Sequence, residues 1–138
     1  NKQETIDLHG EEKVHAWRRS YSVAPPPMAA EHPFNPNTDP RYRSVPTNLL
    51  PETECLADVV ERLVPYWQDQ LAQDLQEFDT VLVAAHGNSL RALVKHLEEI
   101  PDNEITELEI PTGAPIVYEL DSELRPTEQL STSERYLA

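Results

Sequence analysis

No run of apolar side chains in these 138 residues approaches the roughly 20 needed to cross a bilayer as a helix, and no signal-peptide pattern is visible. Basic residues are scarce: 11 Lys and Arg stand against 25 Asp and Glu, a formal net charge of −14. That balance argues against nucleic acid as a general partner, because phosphate backbones need Lys and Arg to neutralise them. It leaves room for a local cationic pocket. Cysteine is reduced to Cys55, so no internal disulfide forms. Within "TECLADVV" this thiol reads as a packed helix residue, not a reactive one. His9, His15, His32 and His96 lack metal-ligand spacing with any second ligand and read as surface or packing residues; no metal is indicated. The length suits one domain. These absences point to a soluble protein of a reducing, cytoplasmic setting, with no membrane partner. The first residue is Asn1, not Met, which fits a fragment, a processed product or the ordered part of something longer.

What is present is mostly helical in pattern. Residues 1–9, "NKQETIDLH", predict a short helix that Gly10 stops. "EEKVHAWRRSY" follows, with Glu11 and Glu12 at its start and Arg18 and Arg19 at its end, signs that suit the helix macrodipole. Residues 22–51 are proline-rich and aperiodic; they read as a long surface excursion of the kind that often serves as a lid or site wall. From about Thr53 to Leu75, Leu56, Val59, Val60, Leu63, Val64, Trp67, Leu71 and Leu75 fall on one helical face. Pro65 should kink that helix, because it removes a donor and crowds the previous turn. Trp17 and Trp67 are expected core anchors. Asp102 should cap a short helix over 103–107. "ELEIPTGAPIVYELD" predicts two extended segments around a turn at Thr112-Gly113, and the chain after Arg125 is polar and weakly patterned.

"TVLVAAHGNSLRALVKHLEE" carries most of the information. "TVLVAA" is apolar at consecutive positions, the mark of a strand covered on both faces in a parallel sheet. His86 follows at once, then Gly87, which allows a sharp turn or a close approach to a ligand. Asn88 and Ser89 are good N-cap types, and Leu90, Leu93, Val94 and Leu97 give the next helix its apolar face. A buried strand needs neighbours, yet only the segments after residue 107 are available. The sheet looks incomplete.

"NK", "WRRSYSVAPPP", "DPRYR", "VLVAAHGNSLRALVKHLE" and "IPTGAPIVYELD" together resemble, in order and spacing over roughly residues 1–125, blocks of the cofactor-dependent phosphoglycerate mutases. These form the 2,3-bisphosphoglycerate-requiring branch of the histidine phosphatase superfamily. The resemblance implies an α/β class: a three-layer α/β/α fold with a mostly parallel sheet, here lacking its N-terminal strands. It implies an enzyme interconverting 3-phosphoglycerate and 2-phosphoglycerate in glycolysis and gluconeogenesis through a phosphohistidine, with 2,3-bisphosphoglycerate as primer. The family nucleophile lies in an Arg-His-Gly motif that this chain does not contain; "LHG" at Leu8–Gly10 has leucine where the arginine belongs. Residues 1–138 are therefore expected to be the carboxyl-terminal portion of a single domain, inactive without its missing segment, and the tail from 127 to 138 diverges from the family's usual ending. Alternatives from the same residues are a bisphosphoglycerate mutase or phosphatase, or a non-catalytic phosphate-binding remnant. Self-association into a homo-oligomer stays open, because the family's subunit contacts fall largely in the part absent here.

By the same resemblance His86 is the second catalytic histidine, stabilising the transferring group, and Lys2, Arg18, Arg19, Gly87 and Asn88 bind the phosphoglycerate. Each has a plainer reading. His86 alone would be a hydrogen-bonded structural histidine, but a strand end before a helix N-terminus is a place that suits phosphate. Arg18 and Arg19 alone would be a solvated helix end; their forked guanidinium geometry also fits phosphate and carboxylate. Gly87 and Asn88 would equally serve as turn and cap, and Lys2 as an exposed terminal residue. Gathered together, the cations would make an anion trap on an acidic chain.

Overall fold

The computed structural model describes residues 2–137. α1 (Lys2–His9) and α2 (Glu11–Arg19) are separated by Gly10 in the left-handed region at φ 84°. That conformation suits glycine and breaks the helix where the sequence predicts. Val14 is the buried residue of α2, whereas Trp17 is only half-buried, edge-on to His9 with ring centroids 5.0 Å apart. Trp17 is thus a lesser anchor than expected. Trp67 is buried.

The long helix forms as α3 (Leu56–Tyr66), a wide π turn (Trp67–Leu71) and α4 (Ala72–Glu77) in direct succession. It begins at the N-cap Cys55, later than Thr53, because Asp58 reaches back and accepts the Cys55 amide at 2.8 Å. Hydrogen bonding to Cys55 holds the Asp58 carboxyl below its ordinary value. Pro65 supplies no amide, and the Trp67 amide is shared between the Leu63 and Val64 carbonyls as the turn widens.

α5 (Gly87–Glu98) packs along α3 and completes the core. Ala92 and Ile105 are 0% exposed and lie with Leu56 and Val59 in one cluster, flanked by Tyr21, Val60, Leu63, Ile100 and Leu108. Trp67, Leu71 and Leu93 form a second cluster against Leu75, Val81, Leu97 and Leu120. Full burial of a Leu or Val side chain contributes about 1.5–3 kcal/mol, so this contact outweighs any surface interaction in the chain.

Residues 22–51 form the predicted excursion, with single 3₁₀ turns at Pro36–Thr38, Pro40–Tyr42 and Thr47–Leu49. Buried Asn35 organises it: the amide nitrogen donates to the carbonyls of Met28 (3.4 Å) and Ala29 (3.0 Å), and the oxygen accepts from the Asn37 amide. The expected helix near 103–107 is a 3₁₀ turn over Ile105–Glu107 without an Asp102 cap. Asp102 instead pairs with Lys95 at 2.8 Å.

The sheet does not form. Among the described residues strand pairing is limited to two isolated antiparallel bridges, Ile116 with Tyr136 and Leu120 with Pro126. The three-layer α/β/α arrangement with a mostly parallel sheet is therefore not seen in this helical chain. "TVLVAA" runs unpaired, with Leu82 89% exposed. Its apolar pattern lacks the neighbouring strands that would take its backbone groups. Gly113 does turn the chain, at φ 80°, but among the described residues only the arm after it pairs with the tail, and the two arms do not pair with each other.

The tail is better ordered than its polarity suggests. Glu98, at the end of α5, accepts from the Tyr118 hydroxyl (2.6 Å) and the Thr132 hydroxyl (2.8 Å) and faces buried Arg135. Burial, reinforced by the Glu98 carboxylate, pushes the Tyr118 phenol above its ordinary value. No helix among the described residues is long and apolar enough to cross a membrane.

Leu90, Leu93, Val94 and Leu97, the apolar stripe read from the sequence, all line a cavity of about 490 Å³. Val81–Ala85 and Ile110–Ile116 form its other walls. An unpaired apolar segment beside an open apolar cavity is a template for association. The 138-residue chain should therefore melt without a sharp transition and associate as concentration rises. Leu82→Glu should lower association, read by sedimentation velocity, while leaving the far-UV helix signal unchanged. A monomeric wild type with a sharp cooperative melt would contradict this.

Candidate functional site

His86 is exposed and extended (φ −64°, ψ 147°), and it caps α5 itself: Nδ1 accepts the Asn88 amide at 3.2 Å. The helix thus opens two residues before the Asn88–Ser89 start that the sequence suggests, because an imidazole nitrogen takes the role expected of a side-chain oxygen. An Nδ1 that accepts carries no proton, so the proton resides on Nε2 and that nitrogen is a donor. Gly87 lies outside the left-handed region, and a Cβ there would meet nothing within 4 Å. The turn itself does not require glycine, which corrects that half of the sequence argument.

Arg18 and Arg19 end α2. The Arg19 guanidinium bonds Glu109 at 2.6 Å, and the pair is exposed enough (30% and 72% of each side chain) to open easily. The hydrogen bond from Arg19, then the charges of Arg19 and Lys2, hold the Glu109 carboxyl below its ordinary value. Lys2 is exposed within electrostatic reach of Glu109. Arg18 is exposed as well, and its carbonyl is engaged from below.

Arg91, which sequence reasoning passed over, engages it. This side chain is 4% exposed. Nη1 donates to the Arg18 carbonyl (3.2 Å) and the Asn88 side-chain oxygen (3.4 Å). Nη2 donates to the carbonyls of Arg19 (3.1 Å) and Ile105 (2.7 Å). Desolvation, then the charge of Arg19, lowers its pKa from the usual arginine value. The available signal was a charge inside "SLRALV", three residues after Asn88 and therefore on its helix face.

The structure thus joins Arg18, Arg19 and Asn88 through Arg91, brings Lys2 to the Arg19–Glu109 pair, and sets His86 one turn from Arg91 at the head of the same helix. None of these cationic side chains lines the apolar cavity, so that cavity is not an anion site. The remaining histidines lie elsewhere: His9 on Trp17, His32 on Phe34, His96 on Trp67, and His15 in solvent. Among the described residues no group of three His, Cys, Asp or Glu could hold a metal ion.

A histidine-headed helix beside two arginines offers donors and positive charge of the kind that suits phosphoryl groups. The chain belongs to the histidine phosphatase superfamily (branch 1), whose sequence profile matches residues 27–131. Among curated relatives it is 56% identical to phosphoglycerate mutase 1 of Saccharomyces cerevisiae, over 93% of this chain and 52% of that protein. It is 55% identical to the 2,3-bisphosphoglycerate-dependent phosphoglycerate mutase of Thermobifida fusca (91% of this chain, 51% of that one). With the enzyme of the same name from Zymomonas mobilis the identity is 51% (98% and 58%). The chain spans about half the length of the curated relatives it matches. His86, Gly87, Asn88 and Arg91 lie inside the family match; Lys2, Arg18 and Arg19 precede it.

Glu109 occupies the Arg19 guanidinium. Because its folded pKa is lowered, the ion pair contributes above the ordinary carboxylate range and is lost as pH falls through the folded value. Glu109→Gln should tighten inorganic phosphate binding by roughly two- to fivefold, the scale of a surface ion pair, as read by isothermal titration calorimetry. An unchanged or weaker affinity would show that Arg19 is not the competing group.

Proposed function

We propose that this chain is the carboxyl-terminal portion of a single 2,3-bisphosphoglycerate-dependent phosphoglycerate mutase domain, an isomerase that interconverts 3-phosphoglycerate and 2-phosphoglycerate. The observation that carries the reading is the identity of 51–56% to proteins of that name, extending over nearly all of this chain. In this reading the enzyme is a cytoplasmic enzyme of glycolysis and gluconeogenesis, its three-layer α/β/α fold is completed by strands outside these residues, and any homo-oligomer forms with that completed domain.

The residues suit the primer and the substrate alike. Lys2, Arg18 and Arg19 supply cations for phosphate and carboxylate groups, and the start of α5, with the Gly87 backbone amide and the Asn88 side-chain amide, suits phosphate oxygens. 2,3-Bisphosphoglycerate supplies the phosphoryl group that charges the family's nucleophilic histidine. His86 is not that nucleophile: its Nδ1 is engaged with the Asn88 amide, which leaves Nε2–H to donate to an equatorial oxygen of the group in transfer. Such a donor acts where charge accumulates and does not form a bond to phosphorus.

A second reading, a non-catalytic phosphate-binding remnant, draws on the absence of an Arg-His-Gly motif from these 138 residues. Activity separates the two. A preparation shown by mass to hold only these residues should give no turnover of 3-phosphoglycerate with bisphosphoglycerate supplied; turnover near that of a whole enzyme would refute the assignment of the nucleophile to another segment. In a full-length polypeptide carrying these residues, His86→Ala should lower kcat by about 10²–10³ while the protein stays folded. Arg19→Ala should mainly raise KM, since it removes ground-state as well as transition-state contacts. A normal kcat for His86→Ala, or a phosphoryl label mapping to His86, would overturn the supporting role.

A further inference from the structure

Arg91 is an unusual residue to find buried in a small helical core. Its guanidinium is withdrawn from solvent with no carboxylate partner among the described residues, and its Nε has no hydrogen-bond partner there. A buried charge without a counter-ion is a poor device for stability alone, since an apolar side chain would fill the same space without the desolvation cost. What the guanidinium does have is four oxygen acceptors on three elements: two carbonyls in the last turn of α2, one in the 3₁₀ turn at Ile105–Glu107, and the side chain of Asn88 at the start of α5.

The carbonyls explain the choice of residue. The last carbonyls of a helix have no intrahelical donor and sit at the negative end of its dipole. A cation with several donors in a rigid planar fork satisfies two of them at once and fixes their separation from anything else the fork holds. Those two carbonyls belong to Arg18 and Arg19. Of the other two acceptors, Asn88 lies on the helix that His86 heads and Ile105 on the 3₁₀ turn that follows it.

We propose that Arg91 is the positioning residue of the anion site, a single fork that sets where the Arg18 and Arg19 backbones stand relative to His86 and Asn88. This rests on the mutase reading above. Arg91 touches neither substrate nor primer; it acts through Arg19, whose side chain then has only to exchange Glu109 for an incoming phosphate. A lysine would not serve, because a point ammonium cannot span acceptors on α2 and α5 with fixed geometry.

The test is a double-mutant cycle in the full-length polypeptide, with inorganic phosphate affinity measured by calorimetry and KM for 3-phosphoglycerate measured in parallel. Arg91→Lys should weaken phosphate binding and raise KM by about tenfold, the loss of well-placed charged hydrogen bonds. In the Arg19→Ala background the same change should cost less than about twofold, because the group it positions is gone. Lys95→Met removes a half-buried cation nearer the far end of α5, where Lys95 holds Asp102 and the Ile100 carbonyl. It should lower Tm about as much as Arg91→Lys and leave phosphate affinity unchanged. Equal effects of Arg91→Lys in both backgrounds, or unchanged affinity, would overturn the proposal. If Arg91→Lys does not fold, Arg91→Gln is read in the same way; failure of both to fold assigns Arg91 to the core and overturns it. Wild-type protein that binds neither phosphate nor substrate refutes the mutase reading, and the proposal falls with it, whereas binding with an additive cycle refutes the role of Arg91 alone.

Discussion

Packing of α5 onto α3 carries the rest of the structure. Ala92 is small enough to let the two helices approach, and Leu56, Val59 and Ile105 close around it. Neither α1 nor α2 contributes to that contact, and α2 buries only Val14. The site therefore depends on how a lightly anchored α2 is tied to a firmly anchored α5. Apolar burial fixes one helix; hydrogen bonds from a buried cation fix the other.

The same device recurs at both ends of α5. At its start Arg91 donates to carbonyls of α2 and of the 3₁₀ turn at Ile105–Glu107. Near its end Lys95 donates to the Ile100 carbonyl, pairs with Asp102 and lies 4.7 Å from the centre of the Tyr21 ring. Glu98 adds the tail through Tyr118, Thr132 and Arg135. On a chain with a net charge of −14, cations are few, and these are spent on holding backbone carbonyls while Arg18, Arg19 and Lys2 stay near solvent. An anion brought to these three side chains and the start of α5 would meet a local, short-ranged field that overall charge does not set.

The apolar stripe of α5 and the segment before it tell a matching story from the other side. Leu93 and Val94 are buried as their spacing predicts, but with half-buried Leu90 and Leu97 they border an open cavity. Consecutive apolar residues in "TVLVAA" have the pattern of a covered strand, yet Leu82 stands almost wholly in solvent. A hydrophobic pattern states what a residue should bury against, not whether the partner is present. Both patterns ask for more apolar cover than the described residues supply.

The main helices, the break at Gly10, the face of α3 and the place of His86 just before α5 were legible in the sequence, although α5 opens two residues earlier than read and the segment at 103–107 makes only a 3₁₀ turn. They depend on neighbours one to four residues apart, whose periodicity and φ preferences are written locally. The family blocks likewise marked Arg18, Arg19, Gly87 and Asn88 without any geometry. Tertiary structure decided what joins them. Arg91 finds the Arg18 carbonyl 73 residues away, and Arg19 finds Glu109 across 90. Neither partner leaves a periodic trace, since a carbonyl is common to every residue and one exposed glutamate among many looks like any other. The His86 cap is a different case: it is local, two residues apart, and escaped the sequence because histidine is not among the usual capping residues, whereas Asn88 and Ser89 are.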